Sequence, residues 1–194
     1  MTSPGRSALD RFRGGTLPDL LGPHTMLLFV GVNPGLSAVA VQAPFPLRGN
    51  RFYPALFKAG ITDRLIDASA GFAPGDRDYL VDRGIGITAL VPRATSSAAE
   101  LGPDELRAGV RSLVTTVARV KPHVVAFLGI SAYRVAFAAP EAVVGRQPEL
   151  LGGAQLWVVP NPSGRNRHVS LAELADAYRE VAIAAGLALE PVGG

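Results

Sequence analysis

The residues best suited to chemistry in this chain are two asparagines, each standing just beyond an apolar run. Asn33 lies in Gly31-Val32-Asn33-Pro34-Gly35, after Met26-Leu27-Leu28-Phe29-Val30. Asn161 opens Asn161-Pro162-Ser163-Gly164-Arg165-Asn166-Arg167, after Gln155-Leu156-Trp157-Val158-Val159-Pro160. A carboxamide accepts a hydrogen through its oxygen and donates through its nitrogen, but it is a poor general base. Chemistry built on it must rest on orienting water and on positioning. The two asparagines are 128 residues apart, so they share a site only if the fold gathers the strand ends. A parallel α/β sheet does this, because its ligands bind outside the carboxyl ends of the strands.

Several other chemistries are excluded. The first turn lacks the Gly-Lys-Ser/Thr ending of a phosphate loop and the Gly-x-Gly-x-x-Gly of a dinucleotide fold. A plain strand-to-loop turn, for which Pro and Gly suffice, is the bland alternative. Cysteine is absent, which removes disulfides, thiolate catalysis and cysteine-held zinc or iron–sulfur groups. His24, His123 and His168 show no metal-ligand spacing. The expectation is no metal and no cofactor.

The two turns, in this order and strand context, resemble the mismatch-specific uracil/thymine-DNA glycosylase family of the uracil-DNA glycosylase superfamily. The resemblance runs from about Met26 to Gly186 and includes Pro44-Phe45-Pro46 and Asn50-Arg51-Phe52-Tyr53. It implies a monofunctional hydrolase of the N-glycosidic bond of uracil mispaired with guanine in duplex DNA, with thymine and exocyclic cytosine adducts as further substrates. Asn33 would be the catalytic residue, holding the attacking water. Where some relatives carry a carboxylate at that position, Asn implies slower hydrolysis. Val32, Gly35, Phe45 and Asn50 would form the base pocket, with the extruded base stacked on Phe45. Asn50 could equally cap a helix, and Arg51 could orient the base or grip phosphate. Asn161, Ser163, Gly164, Arg165, Asn166 and Arg167 would form the loop that enters the duplex when the base is flipped out. Arg165 stands where family members often have Leu, and Asn161 where some have His.

Thr88-Ala89-Leu90-Val91-Pro92-Arg93-Ala94-Thr95 should line the same edge, with Arg93 a candidate phosphate ligand. Ala89 stands near a position where some relatives carry Lys or Asp. Lys58 and Lys121 lie away from both motifs, which argues against Schiff-base lyase chemistry. Two rival functions remain: a catalytically weak module that binds damaged bases, and a hydrolase of free nucleosides.

These residues need a scaffold, and 194 residues with 48% hydrophobic and 18% charged side chains make one domain with a substantial core. The apolar runs are strand-length, too short for a membrane helix, and no leader pattern opens the chain, so a cytoplasmic location is expected by default, at the bacterial nucleoid if DNA is the substrate; a monomer is expected as well. The net charge is only +3, but 17 of the 19 basic residues are arginines. Arginine suits phosphate through its bidentate fork; a genomic base-composition bias would produce the same count. Double-stranded DNA is the expected partner, with no membrane involved.

The hydrophobic pattern predicts strands over 26–32, 85–91, 124–128 and 155–159. Helices are predicted from Asn50 to Gly60, Gly75 to Arg83, from Pro103 onward, Ser131 to Ala139, and from Ser170 to Gly186. Ser170 with Glu173 makes a capping box. Asp76, Asp78 and Asp82 read as a solvated helix face. The result is a three-layer α/β/α fold on a four-stranded parallel sheet. Residues 1–24 read as a loose arm whose Arg6, Arg11 and Arg13 could touch DNA, 25–190 as the domain, and Pro191 to Gly194 as a frayed end.

Overall fold

A computed structural model describes residues 6–191; the expectation for the C-terminal end falls, beyond Pro191, outside the described residues. The elements in chain order are α1 (Arg6–Leu9), β1 (Leu27–Gly31), α2 (Leu36–Val41), α3 (Phe52–Lys58), α4 (Asp76–Asp82), β2 (Ile85–Ala89), α5 (Pro103–Val120), β3 (Val124–Leu128), α6 (Ile130–Ala136), β4 (Gly145–Leu151), β5 (Ala154–Val159) and α7 (Leu171–Ala185). The strand order is β2-β1-β3-β5-β4. The first four in that order are parallel, and β4 is antiparallel to β5.

The central strands are apolar throughout because both faces of the sheet are covered. Successive side chains of a strand point to opposite faces, so β1 feeds two cores. Leu27 and Phe29 pack with Phe52 and Leu56 of α3 and Tyr178 and Val181 of α7. Leu28 and Val30 pack with Leu106, Leu113 and Val117 of α5 and Tyr133 of α6. The capping box at Ser170 and Glu173 forms, and α7 ends on Gly186 at φ +80°, the left-handed backbone that glycine adopts without strain.

The sheet has five strands, one more than the pattern of the sequence predicts. β4 reads Gly-Arg-Gln-Pro-Glu-Leu-Leu; it is an edge strand, mostly exposed, with an irregular register between Arg146 and Leu150. Pro148 within it is tolerated only at an edge or bulge. A Gly152-Gly153 turn with positive φ at both residues joins it to β5, the usual chemistry of a tight hairpin.

Residues 1–5 of the expected N-terminal arm lie outside the described residues; from Leu9 to Leu20 the segment is packed on the domain rather than loose. Thr16 bridges Arg93, and Leu20 pairs with Ile87 in both directions, N–H to O at 2.9 and 2.8 Å. Leu20 is fully buried, and Leu9, Phe12 and Leu17 pack on Leu36, Val39 and Ala94. Residues 16–20 thus cover the free edge of β2. Arg13 pairs with Glu100 and Asp10. Asp76 also departs from the solvated face: it is buried, accepts from Arg64 at 2.9 Å and from the Ala73 N–H at 3.0 Å, and so ties the entry to α4.

Candidate functional site

β1, β2, β3 and β5 all run the same way, so Gly31, Ala89, Leu128 and Val159 end at one edge of the sheet. The two Asn-Pro turns leave β1 and β5, which flank β3. They are therefore about 10 Å apart, two strand spacings. A cavity of about 220 Å³ opens between them, lined by Val32, Asn33, Gly35, Phe45, Asn50, Thr95, Leu128, Asn161 and Ser163 among others. A smaller lobe of about 40 Å³ adjoins it and shares Gly31, Asn33 and Phe45 with it.

Asn33 is fixed by the exit of β2. Its Nδ2 donates to the Arg93 carbonyl at 3.0 Å and to Thr95 Oγ1 at 2.7 Å. Thr95 is buried and passes its own proton to the Ser97 carbonyl at 2.8 Å. A carbonyl can only accept, so the amide orientation is determined: both N–H groups are committed, and Oδ1 is the acceptor left over. The backbone supports the turn as well, with Leu90 N–H on Gly31 O, Val91 N–H on Val32 O and Thr95 N–H on Pro34 O.

Asn161 is fixed the opposite way. Its Oδ1 accepts from the Ser163 N–H at 2.9 Å, an Asx turn, and this leaves its Nδ2 as the remaining donor. Gly129, after β3 with φ +114°, makes room: a Cβ there would sit 3.2 Å from Asn161 Nδ2. The loop is braced by the Asn166 side chain on Asn161 O at 3.1 Å and by Ser163 Oγ on the Arg165 N–H.

Arg51 holds that loop from behind. Its guanidinium donates to the carbonyls of Val169, Ser163 (3.2 Å) and Asn166 (2.7 Å), and its own N–H bonds Pro162 O at 2.9 Å. A side chain engaged in this way is not a phosphate ligand. Arg51 Nε and the Tyr178 hydroxyl are both buried without a described partner. Burial pushes the Tyr178 phenol well up, so it stays neutral near the guanidinium. Gly164 is needed for a contact within the protein: a Cβ there would lie 2.4 Å from the Gly49 carbonyl oxygen. The loop carrying Phe45 and the loop carrying Arg165 are thereby locked together.

Phe45 is half-buried at the cavity wall with φ +55°, a strained backbone for an aromatic residue. Phe52, fully buried, backs it at 4.3 Å between ring centroids. The loop is pinned by the Tyr53 hydroxyl on Pro44 O at 2.9 Å. Asn50 lines the cavity and, one position ahead of the N-cap Arg51, also accepts the first N–H of α3, that of Phe52, at 2.9 Å. Arg165, Arg167 and His168 are exposed on the second loop. Arg93 faces Glu105, at 2.8 Å from Nη2 to Oε2, which draws the Glu105 carboxyl below its usual range. The Arg93 side chain, expected to meet phosphate, is thus ion-paired in the free protein, and its carbonyl serves Asn33. Sequence reasoning did not single out Gly49, Gly129 or the hydroxyl of Thr95. Among the described residues there is no cluster of three or more His, Asp or Glu that could hold a metal, and no helix long and apolar enough to cross a membrane.

A parallel sheet with paired polar turns, an aromatic wall and a cavity at its carboxyl edge defines the class of α/β proteins that bind a ligand at that crevice. Within that class the chain belongs to the uracil DNA glycosylase superfamily, whose family model matches residues 18–184. The fold is also similar to the solution NMR structure of a protein from Methanosarcina acetivorans whose uracil DNA glycosylase assignment is provisional. The TM-score is 0.56 at 18% identity, over 87% of this chain and 98% of that one.

Proposed function

We propose that this protein is a monofunctional DNA glycosylase that hydrolyses the N-glycosidic bond of uracil mispaired with guanine in duplex DNA. Superfamily membership supports DNA glycosylase activity in general. The observation that carries the finer reading is the opposed setting of the two amides, one presenting an acceptor and the other a donor across a cavity walled by Phe45. Hydrolysis develops positive charge on the sugar and negative charge on the departing base. Asn33 Oδ1 accepts a hydrogen of the attacking water and aims its lone pair at the anomeric carbon. Asn161 Nδ2 donates toward the base as its negative charge grows, and Phe45 holds the ring by stacking.

Without a carboxylate at Asn33, proton abstraction is weak, so rate enhancement depends on positioning and fixed dipoles. Such a site favours bases that leave the helix at low cost, as mispaired bases do. In this reading Arg165 and Arg167, both exposed on the second loop, meet the duplex, Arg165 filling the gap and Arg167 contacting phosphate. The test is single-turnover excision from U·G, U·A, T·G and single-stranded uracil substrates. Efficient cleavage of U·G with weaker cleavage of U·A supports the reading. Equal rates on all four contradict the mismatch preference. Tight binding without cleavage returns the damage-binding alternative, and cleavage of free deoxyuridine at a comparable rate returns the nucleoside hydrolase.

A further inference from the structure

The smaller lobe has a chemical character that the two turns do not explain. The side chains that give it polar atoms are Asn33, Asp19 and Thr88. Asp19 comes from the N-terminal segment and is placed by the Leu20–Ile87 pairing. Its Oδ1 accepts the Thr88 hydroxyl proton at 2.7 Å. Arg77 donates to the Asp19 backbone carbonyl at 2.7 Å, fixing the same segment from the side of α4. The next residue of β2, Ala89, contributes no polar side chain to the lobe.

Consider what each polar side chain has left to offer. Asn33 has committed both N–H groups elsewhere and retains Oδ1. Thr88 has committed its only proton to Asp19 and retains oxygen lone pairs. Asp19 is a carboxylate with Oδ2 unused among the described residues, and an ionised carboxylate only accepts. Every side-chain group remaining on this wall is therefore an acceptor. Such a wall meets a ligand edge that presents N–H and opposes one that presents only carbonyl oxygens or an N-alkyl group.

We propose that Asp19 is a specificity-determining residue that accepts a hydrogen bond from the N–H edge of the extruded base. The lobe is small, about 40 Å³, so only the far edge of the ring enters it while the ring body stacks on Phe45. Asp19 is exposed in the free protein, and a bound base covers it. A carboxylate near a base that departs with negative charge does not speed departure. Its role is choice of base, requiring an imide or amino N–H at that edge. The inference rests on the glycosylase reading for its substrate but not for its chemistry, since binding of a free base tests it separately.

The experiment is a two-by-two comparison of wild type and Asp19→Ala on U·G duplexes carrying uracil or N3-methyluracil, read as single-turnover rates. Wild type should cleave uracil about tenfold or more faster, the scale of one hydrogen bond to a charged group. In Asp19→Ala that ratio should collapse toward one, with the melting temperature essentially retained. An unchanged ratio in a folded variant overturns the proposal. Free uracil and free N3-methyluracil are titrated in parallel by NMR. If wild type cleaves no duplex, the glycosylase reading falls, while preferential uracil binding that Asp19→Ala abolishes still upholds the Asp19 assignment. Equal binding of the two bases by wild type, or binding of neither, overturns it.

Discussion

The two Asn-Pro turns look alike in sequence and are used in opposite senses. In the first, Asn33 gives its nitrogen to the protein, to Arg93 O and Thr95 Oγ1, and keeps its oxygen. In the second, Asn161 gives its oxygen to the Ser163 N–H and keeps its nitrogen. Their supports differ too. The first turn is bonded to the neighbouring strand exit along its backbone, whereas the second is held by one arginine reaching three carbonyls from a helix start. The same dipeptide thus yields an acceptor or a donor according to which partner folding brings to it. A rigid first turn suits orientation of water; a loop braced at its base suits entry into another molecule.

The largest effect should come from removing the acceptor. Asn33→Ala is expected to lower the single-turnover excision rate by ~10²-fold or more, the scale of a positioned catalytic group, with duplex affinity nearly unchanged. A rate close to wild type would erase the difference between the turns.

Phe45→Ala should weaken capture of the flipped base by roughly 1–3 kcal/mol, the usual worth of base–aromatic stacking. Non-specific duplex binding should hardly move. A fall in melting temperature with intact kinetics would instead make Phe45 part of the Phe52 core.

Arg51→Ala sharpens the contrast in support. It leaves the carbonyls of Ser163, Asn166 and Val169 without their donor and should cost roughly 1–3 kcal/mol of stability. Excision should fall along with it, because the second loop loses its brace. Protease sensitivity confined to residues 162–169 is the expected signature, and uniform destabilisation without local cleavage would count against a loop-specific brace.

The smallest effect is expected at Arg165, which only the second turn carries outward. Arg165→Ala should slow excision from U·A duplexes several-fold more than from U·G, since a mismatched base needs less help leaving the stack. A uniform loss on both, with the salt dependence reduced by about one unit, would mark a phosphate contact instead.

Within the sequence, the apolar runs of β1, β2, β3 and β5 were legible because a strand buried on both faces has no polar register to blur it. The capping box at Ser170 and Glu173 is local, as helix ends are satisfied by residues three apart. β4 was not legible: Pro148 and its exposed polar residues match no strand pattern, and only pairing with β5 makes them one. The N-terminal segment misled for the same reason. Its Gly, Pro and Arg content describes a tail, yet the unpaired edge of β2 supplies backbone partners that composition cannot reveal.

For the site, the sequence by itself determined which residue types stand at the ends of which strands, and so that two amides and an aromatic face one edge. Helical crossovers between buried strands make those strands parallel, which brings their ends to one edge, while the order of the strands is read from the structure. Hydrogen-bond polarity was decided only by the tertiary structure. An asparagine is donor and acceptor at once, and its character in a site is whatever its neighbours leave unpaired. Those neighbours, Thr95 and Arg93 O for Asn33 and the N-terminal Asp19 for Thr88, are remote or separated by loops. No local pattern of residues encodes which atom of an amide will face the cavity.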